Sequence, residues 1–235
     1  MRITPYYASL MHEDPFHPVM LPGEKAERRL DPIFWQSVPT PANLFFPDTG
    51  AEGAMDEGSR SFGAAYQRYP NRLALFVAEN TSCASYCVHC QRAKSLDTTV
   101  DVNRTEIDKG LFYIGYNSNI DEVLVTGGDA LRISPKLLQY VLEELSKIRH
   151  LRVIRIATRV PVVMPMAITD DILELIRVSG NKYTKGPEKY IYFMTHIKPL
   201  SGNHRRSCPC SKKDQSAWFY NPQSNRSFKP CKRLL

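Results

Sequence analysis

No run of about eighteen apolar residues occurs anywhere in the 235-residue chain, so no membrane-crossing helix is expected. The opening residues, MRITPYYASLMHEDPF, lack the long apolar stretch of a secretory leader. A cytoplasmic location is the resulting expectation. Thiols stay reduced there, so crowded cysteines point to metal binding or catalysis rather than to disulfides. Acid is nearly missing from the C-terminal stretch. Lys198 to Leu235 carries nine Lys or Arg against Asp214 alone, while residues 1–197 carry 22 bases and 23 acids. The formal charge of +7 therefore belongs to a tail, and the near-neutral body gives no reason to expect a nucleic-acid partner. Among Leu, Ile, Val and Met, that tail holds only Leu200, Leu234 and Leu235, against six Ser and four Pro. Such a composition buries too little apolar surface to order itself, so residues 198–235 are expected to be a disordered basic tail. Cys208, Cys210 and Cys231 with His204 make only a weak metal pattern within it.

What is present organises the rest. Residues 1–70 are rich in Pro and aromatic residues, and ITPYYASLM and LDPIFWQSV read as short helices or extended pieces. From Leu73 the pattern changes. LALFV (73–77), EVLVT (122–126), RVIRIAT (152–158) and YIYFMTH (190–196) are apolar runs of strand length. Between them, residues 105–117 can form a helix, weakened by Gly110. Ser134 and Pro135 start a second helix, whose Leu137, Leu138, Val141, Leu142, Leu145 and Ile148 recur every three or four positions. Thr169 caps a third, with Asp170 and Asp171 in its first turn and Gly180 as its expected stop. Strands alternating with helices every 35 residues or so predict an α/β fold: a partial βα barrel with parallel strands over 71–197, preceded by a mostly helical N-terminal segment over 1–70. In such barrels chemistry sits on the loops that follow strands. The cysteines, GGD, TR and TH all lie there.

The cysteine loop, SCASYCVHCQR, spaces Cys83, Cys87 and Cys90 as C-x3-C-x2-C with no fourth partner nearby. Structural zinc wants four protein ligands, and His89 lies too close to Cys90 to share the ion easily. A [4Fe–4S] cluster held by three thiolates would keep one iron open to a substrate or cofactor. A structural zinc knuckle is the bland alternative.

These residues resemble the radical SAM superfamily and, more closely, the lysine 2,3-aminomutase family. The resemblance runs over about residues 3–196, on ITPYYASL, RYPNR, CASYCVHCQR, LVTGGDAL, RIATRVPVVMPMAIT and MTH. It implies a [4Fe–4S] cluster on Cys83, Cys87 and Cys90, and S-adenosylmethionine bordered by Gly127, Gly128, Asp129, Thr158, Arg159 and His196. It implies further that Arg68 and Arg72 contact the phosphate of pyridoxal phosphate, and that Arg92 pairs with the substrate carboxylate. The implied activity is 1,2-amino migration on a small-molecule amino acid substrate, started by a 5′-deoxyadenosyl radical, with an electron donor such as flavodoxin or ferredoxin. Taken alone, Arg68 and Arg72 would read as a solvated face, Arg159 as a surface strand end, and His196 and His89 as structural histidines.

The resemblance stops after MTHIK. No lysine in the tail matches the family's imine-forming lysine, so the expectation is a shortened aminomutase with a replaced reading frame, its activity open and its fourth strand left with a bare edge. The missing lysine also keeps alive a radical SAM enzyme that works without pyridoxal phosphate. A zinc-binding nucleic-acid-binding protein is the remaining alternative. Which amino acid is the substrate, and whether the chain forms a homo-oligomer, cannot be read from these residues.

Overall fold

A computed structural model describes residues 3–14, 31–39, 61–78, 82–87, 90, 102–184, 188–196 and 218–219. Two short helices come first, α1 (Pro5–Ala8) and α2 (Pro32–Ser37). Each starts at a proline placed behind a capping side chain. Thr4 accepts from the Tyr7 N–H, and Asp31 accepts from the N–H groups of Ile33 and Phe34. Strands β1 (Ser61–Phe62), β2 (Ala65–Tyr69) and β3 (Arg72–Phe76) follow. Then come helix α3 (Arg104–Tyr116), strand β4 (Glu122–Thr126), helix α4 (Pro135–Lys147) and strand β5 (Val153–Ala157). A one-turn helix α5 (Val160–Val163) leads to α6 (Asp170–Asn181), β6 (Tyr190–Met194) and β7 (Trp218–Phe219).

The strands form one open sheet in chain order, β1 to β7. β3 to β6 are parallel, as the alternation of strands and helices predicts. Two rows of side chains run straight across them: Leu73, Val123, Ile154 and Ile191, then Leu75, Val125, Ile156 and Phe193. All eight are buried, packed in one cluster with Ile107, Leu111 and Ile114 of α3, Leu138, Val141, Leu142 and Leu145 of α4, and Ile176 of α6. The alternate residues of each strand are only partly covered, so the helices lie on one face of the sheet. On the other face Arg155 donates to Glu122 at 2.9 Å, and Arg72 lies 3.5 Å from the same carboxylate oxygen.

The caps form where the sequence places them: the Ser134 side chain accepts from the Leu137 N–H, and that of Thr169 from the Ile172 N–H. Three features differ from the expectation. The segment before Leu73 is not only helical and extended, because β1 and β2 add an antiparallel hairpin to the edge of β3. Gly180 does not stop α6, which continues to Asn181. Its missing side chain makes room for β6 instead, since a Cβ there would lie 2.2 Å from Ile191 Cδ1. The edge of β6 is also not wholly bare: Tyr192 and Phe193 pair antiparallel with Phe219 and Trp218 of the basic tail. Among the described residues the sheet does not close on itself, and no helix is long and apolar enough to cross a membrane.

Candidate functional site

The chemistry-bearing residues collect at the C-terminal ends of β3, β4 and β5. Parallel strands make this unavoidable, because each loop that follows a strand emerges on the same edge of the sheet. Gly127 and Gly128 follow β4. Gly127 has φ of +140°, and a Cβ on it would lie 2.3 Å from the Ala78 carbonyl oxygen and 2.7 Å from the Ala78 nitrogen. A conformation that L side chains rarely adopt thus coincides with a close backbone approach. Gly128 donates its N–H to the same carbonyl at 3.2 Å. The pair fastens the end of β4 to the root of the cysteine loop.

Asp129 comes next and is almost fully buried. Its Oδ1 accepts from Thr158 Oγ1 at 2.7 Å and from the Leu131 N–H at 3.0 Å, and its Oδ2 accepts from the Arg159 N–H at 2.8 Å. Its own N–H donates to Ser82 Oγ, at the start of the cysteine loop, at 3.2 Å. Burial pushes the Asp129 carboxyl above its ordinary value, against the pull of those donors. Asp129 therefore ties three strand ends together. Asp129→Asn turns one acceptor into a donor facing donors, and is expected to cost about 1–3 kcal/mol in urea unfolding. An unchanged midpoint would contradict this role.

Arg159 is the hub of the site. Its side chain is about nine-tenths buried. Nη1 donates to Cys87 Sγ at 2.8 Å and to the Tyr86 carbonyl at 3.4 Å. Nη2 donates to Tyr7 Oη at 3.1 Å and to Gln36 Oε1 at 3.2 Å. The guanidinium also sits 5.3 Å from the centre of the Tyr7 ring. Nε is buried without a partner among the described residues. A second small core holds the N-terminal helices here, with Tyr7, Ile33 and Val163 buried and Ala84 of the cysteine loop packed against them. Thr4 Oγ1 donates to the Val163 carbonyl, and the carboxylate of Asp31 also accepts from the His12 N–H at 2.9 Å.

Cys83, Cys87 and Cys90 are each partly exposed. The Cys90 N–H donates to the Cys87 carbonyl at 3.0 Å, which folds the loop back on itself. Burial pushes the Cys87 thiol up, and Arg159 offsets this only in part. Among the described residues, no three of His, Cys, Asp and Glu are already gathered as a metal-ligand set. In donor chemistry the loop does fit an iron–sulfur cluster. It supplies three reduced soft ligands from one short segment, beside a buried cation that favours a thiolate.

Two expected arginines lie apart, whereas His196 follows β6 on the same edge of the sheet. His196 is exposed just after β6, whose Met194 carbonyl accepts from the Thr158 N–H at 3.0 Å. Arg68 on β2 and Arg72 at the start of β3 are exposed at the opposite end of the strands. The length of β3 alone separates Arg72 from the cysteine edge by about 15 Å. Arg92, His89 and the tail cysteines lie outside the described residues. Tyr7, Gln36, Ser82 and Tyr86 were not singled out by the sequence. ITPYYASL carries Tyr7, but no spacing reveals that it meets Arg159, 152 positions away.

No protein-family model matches the chain. Curated relatives do. The L-lysine 2,3-aminomutase of Methanococcus maripaludis is 36% identical over 180 residues, covering 75% of this chain and 38% of that protein. The L-lysine 2,3-aminomutase of Bacillus subtilis is 38% identical over 180 residues, 75% of this chain and 35% of that one. The glutamate 2,3-aminomutase of Clostridioides difficile is 34% identical over 213 residues, 89% and 44% respectively. The chain thus spans about two fifths of the length of these relatives. Over three quarters of its own length, this chain resembles the lysine 2,3-aminomutases.

Proposed function

We propose that this chain is a radical SAM protein of the aminomutase type, with Cys83, Cys87 and Cys90 holding a [4Fe–4S] cluster by three of its corners. The observation that carries this reading is the convergence of the cysteine loop, the GGD turn and Arg159 on one edge of a parallel sheet. Likeness to named aminomutases over the same residues supports it. When bound, the cluster and S-adenosylmethionine would supply a 5′-deoxyadenosyl radical for hydrogen abstraction.

The protein's own part is to bind and orient. Gly127 and Gly128 keep the GGD turn against the cysteine loop without side-chain bulk. Asp129 fixes Thr158 and the Arg159 backbone. The unpartnered Nε of Arg159 is a buried donor available to a carboxylate or ribose oxygen. The N-terminal helices cover this side of the site and keep water from the guanidinium. The substrate class is a small-molecule amino acid, and an electron donor such as flavodoxin or ferredoxin would supply the electron.

Anaerobic reconstitution with iron and sulfide tests this reading. The reduced chain should show the electron paramagnetic resonance signal of a [4Fe–4S] centre, and S-adenosylmethionine should change that signal. One zinc per chain, with no iron taken up, overturns it.

One observation favours a second reading, in which pyridoxal phosphate is not used. Arg72 is engaged by Glu122, far from the cysteine edge. Absence of imine absorbance when pyridoxal phosphate is added to the reconstituted chain would support this second reading, and a saturable imine band would exclude it.

A further inference from the structure

Arg159 joins three parts of the chain that are remote in sequence, and one of its contacts is a sulfur. The guanidinium reaches Cys87 Sγ through Nη1, and Tyr7 and Gln36 through Nη2. Its backbone is fixed as well, since its N–H donates to the buried Asp129 carboxylate. A planar fork anchored at both ends has little freedom to move off the sulfur. Tyr7 and Gln36 belong to helices α1 and α2, which dock through the small core around Ile33 and Val163.

We propose that Arg159 is a positioning residue that hydrogen-bonds the Cys87 sulfur of the assembled cluster, and that Tyr7 and Gln36 hold it there. The docked N-terminal helices then set the redox poise of the centre. This rests on the reading that the three cysteines hold a [4Fe–4S] cluster. The physical reason is electrostatic. Reduction adds negative charge to the cluster and its thiolates, and a charged N–H donor on one sulfur stabilises that form. Hydrogen bonds to ligand sulfurs are a main means by which a protein tunes such centres. Here the donor is nine-tenths buried, so solvent screens it little.

The test is a potentiometric titration of the reconstituted full chain, read by its electron paramagnetic resonance signal. Arg159→Gln should lower the midpoint, with a change of about tenfold in the reduction equilibrium, or about 59 mV for a one-electron couple. Tyr7→Phe and Gln36→Leu leave the sulfur and the guanidinium in place but remove one anchor each, so smaller shifts of the same sign are expected. They also keep the proposal testable if Arg159→Gln does not fold. Val141→Ala, in the main core away from Arg159 and its partners, should weaken thermal stability and leave the midpoint unchanged. A cluster that forms in the wild-type and Tyr7→Phe, Gln36→Leu and Arg159→Gln chains at one common midpoint overturns the proposal alone. Equal shifts in Val141→Ala and the Arg159-partner variants also overturn it, because general destabilisation would then explain the effect. A wild-type chain that takes up no cluster overturns the reading of the site, and the proposal with it.

Discussion

Alanine at any one of Cys83, Cys87 or Cys90 is expected to abolish cluster uptake while leaving the fold in place. The three thiols are partly exposed, outside both buried cores, so loss of Cys83 or Cys90 should change unfolding free energy by about 1 kcal/mol or less, and loss of Cys87, which accepts from the buried Arg159, by about 1–3 kcal/mol. The effect on metal is of another order. Replacing partners outside the ligand set costs about 10–100-fold in metal affinity, so removing one of only three ligands should exceed that range. Reconstituted variants should show no brown absorbance and the same far-ultraviolet circular dichroism as the parent chain. If two of the three variants keep full iron and sulfide content, the three sulfurs are not the ligand set.

Gly127→Ala is expected to be the most damaging single substitution at the site. Two effects add. Holding a φ of +140° strains an L residue by about 1–3 kcal/mol. The new Cβ would also lie 2.3 Å, 2.7 Å and 2.8 Å from the oxygen, nitrogen and Cβ of Ala78. Two of these are backbone atoms two residues beyond the end of β3, so relief requires moving main chain rather than rotating a side chain. That movement would strain the 2.8 Å bond from the Val77 N–H to the Thr126 carbonyl and the bond from Gly128 to Ala78. A loss of about 4 kcal/mol or more is expected, which is large for one point substitution. In a chain of this size it would lower the melting temperature by about 8–16 °C. A melt within about 2 °C of the parent would show that the turn has room, and that Gly127 is not where the two loops are fastened.

How much of this was legible depends on the range of the interactions. Ser134, Pro135 and Thr169 announce their helices because a cap acts on N–H groups two or three residues away. The four parallel strands were visible as apolar runs between helices. Helix α3 was less clear, because Gly110 weakens the helical signal, whereas in the fold its missing side chain makes room for Leu75 of β3, whose Cδ1 would lie 2.7 Å from a Cβ there. The β1–β2 hairpin was missed, since β1 has only two residues, both exposed. Gly180 was read by its usual position after a helix, whereas Ile191 of the next strand decides its use.

At the site, the cysteines, the glycine pair and Arg159 were legible as motifs after strands. Their partners were not. Arg159 meets Gln36 and Cys87 across 123 and 72 positions, and nothing local encodes such contacts. Asp129 was expected beside a ligand. The structure gives its carboxylate three protein donors, an arrangement that only the joined ends of β4 and β5 create.

The most direct test of the central claim is to quantify 5′-deoxyadenosine from the anaerobically reconstituted full chain, with S-adenosylmethionine and dithionite. The expected result is 5′-deoxyadenosine that depends on reductant and disappears when Cys83, Cys87 and Cys90 are all replaced by alanine. A reduced iron–sulfur chain that leaves S-adenosylmethionine uncleaved would contradict it.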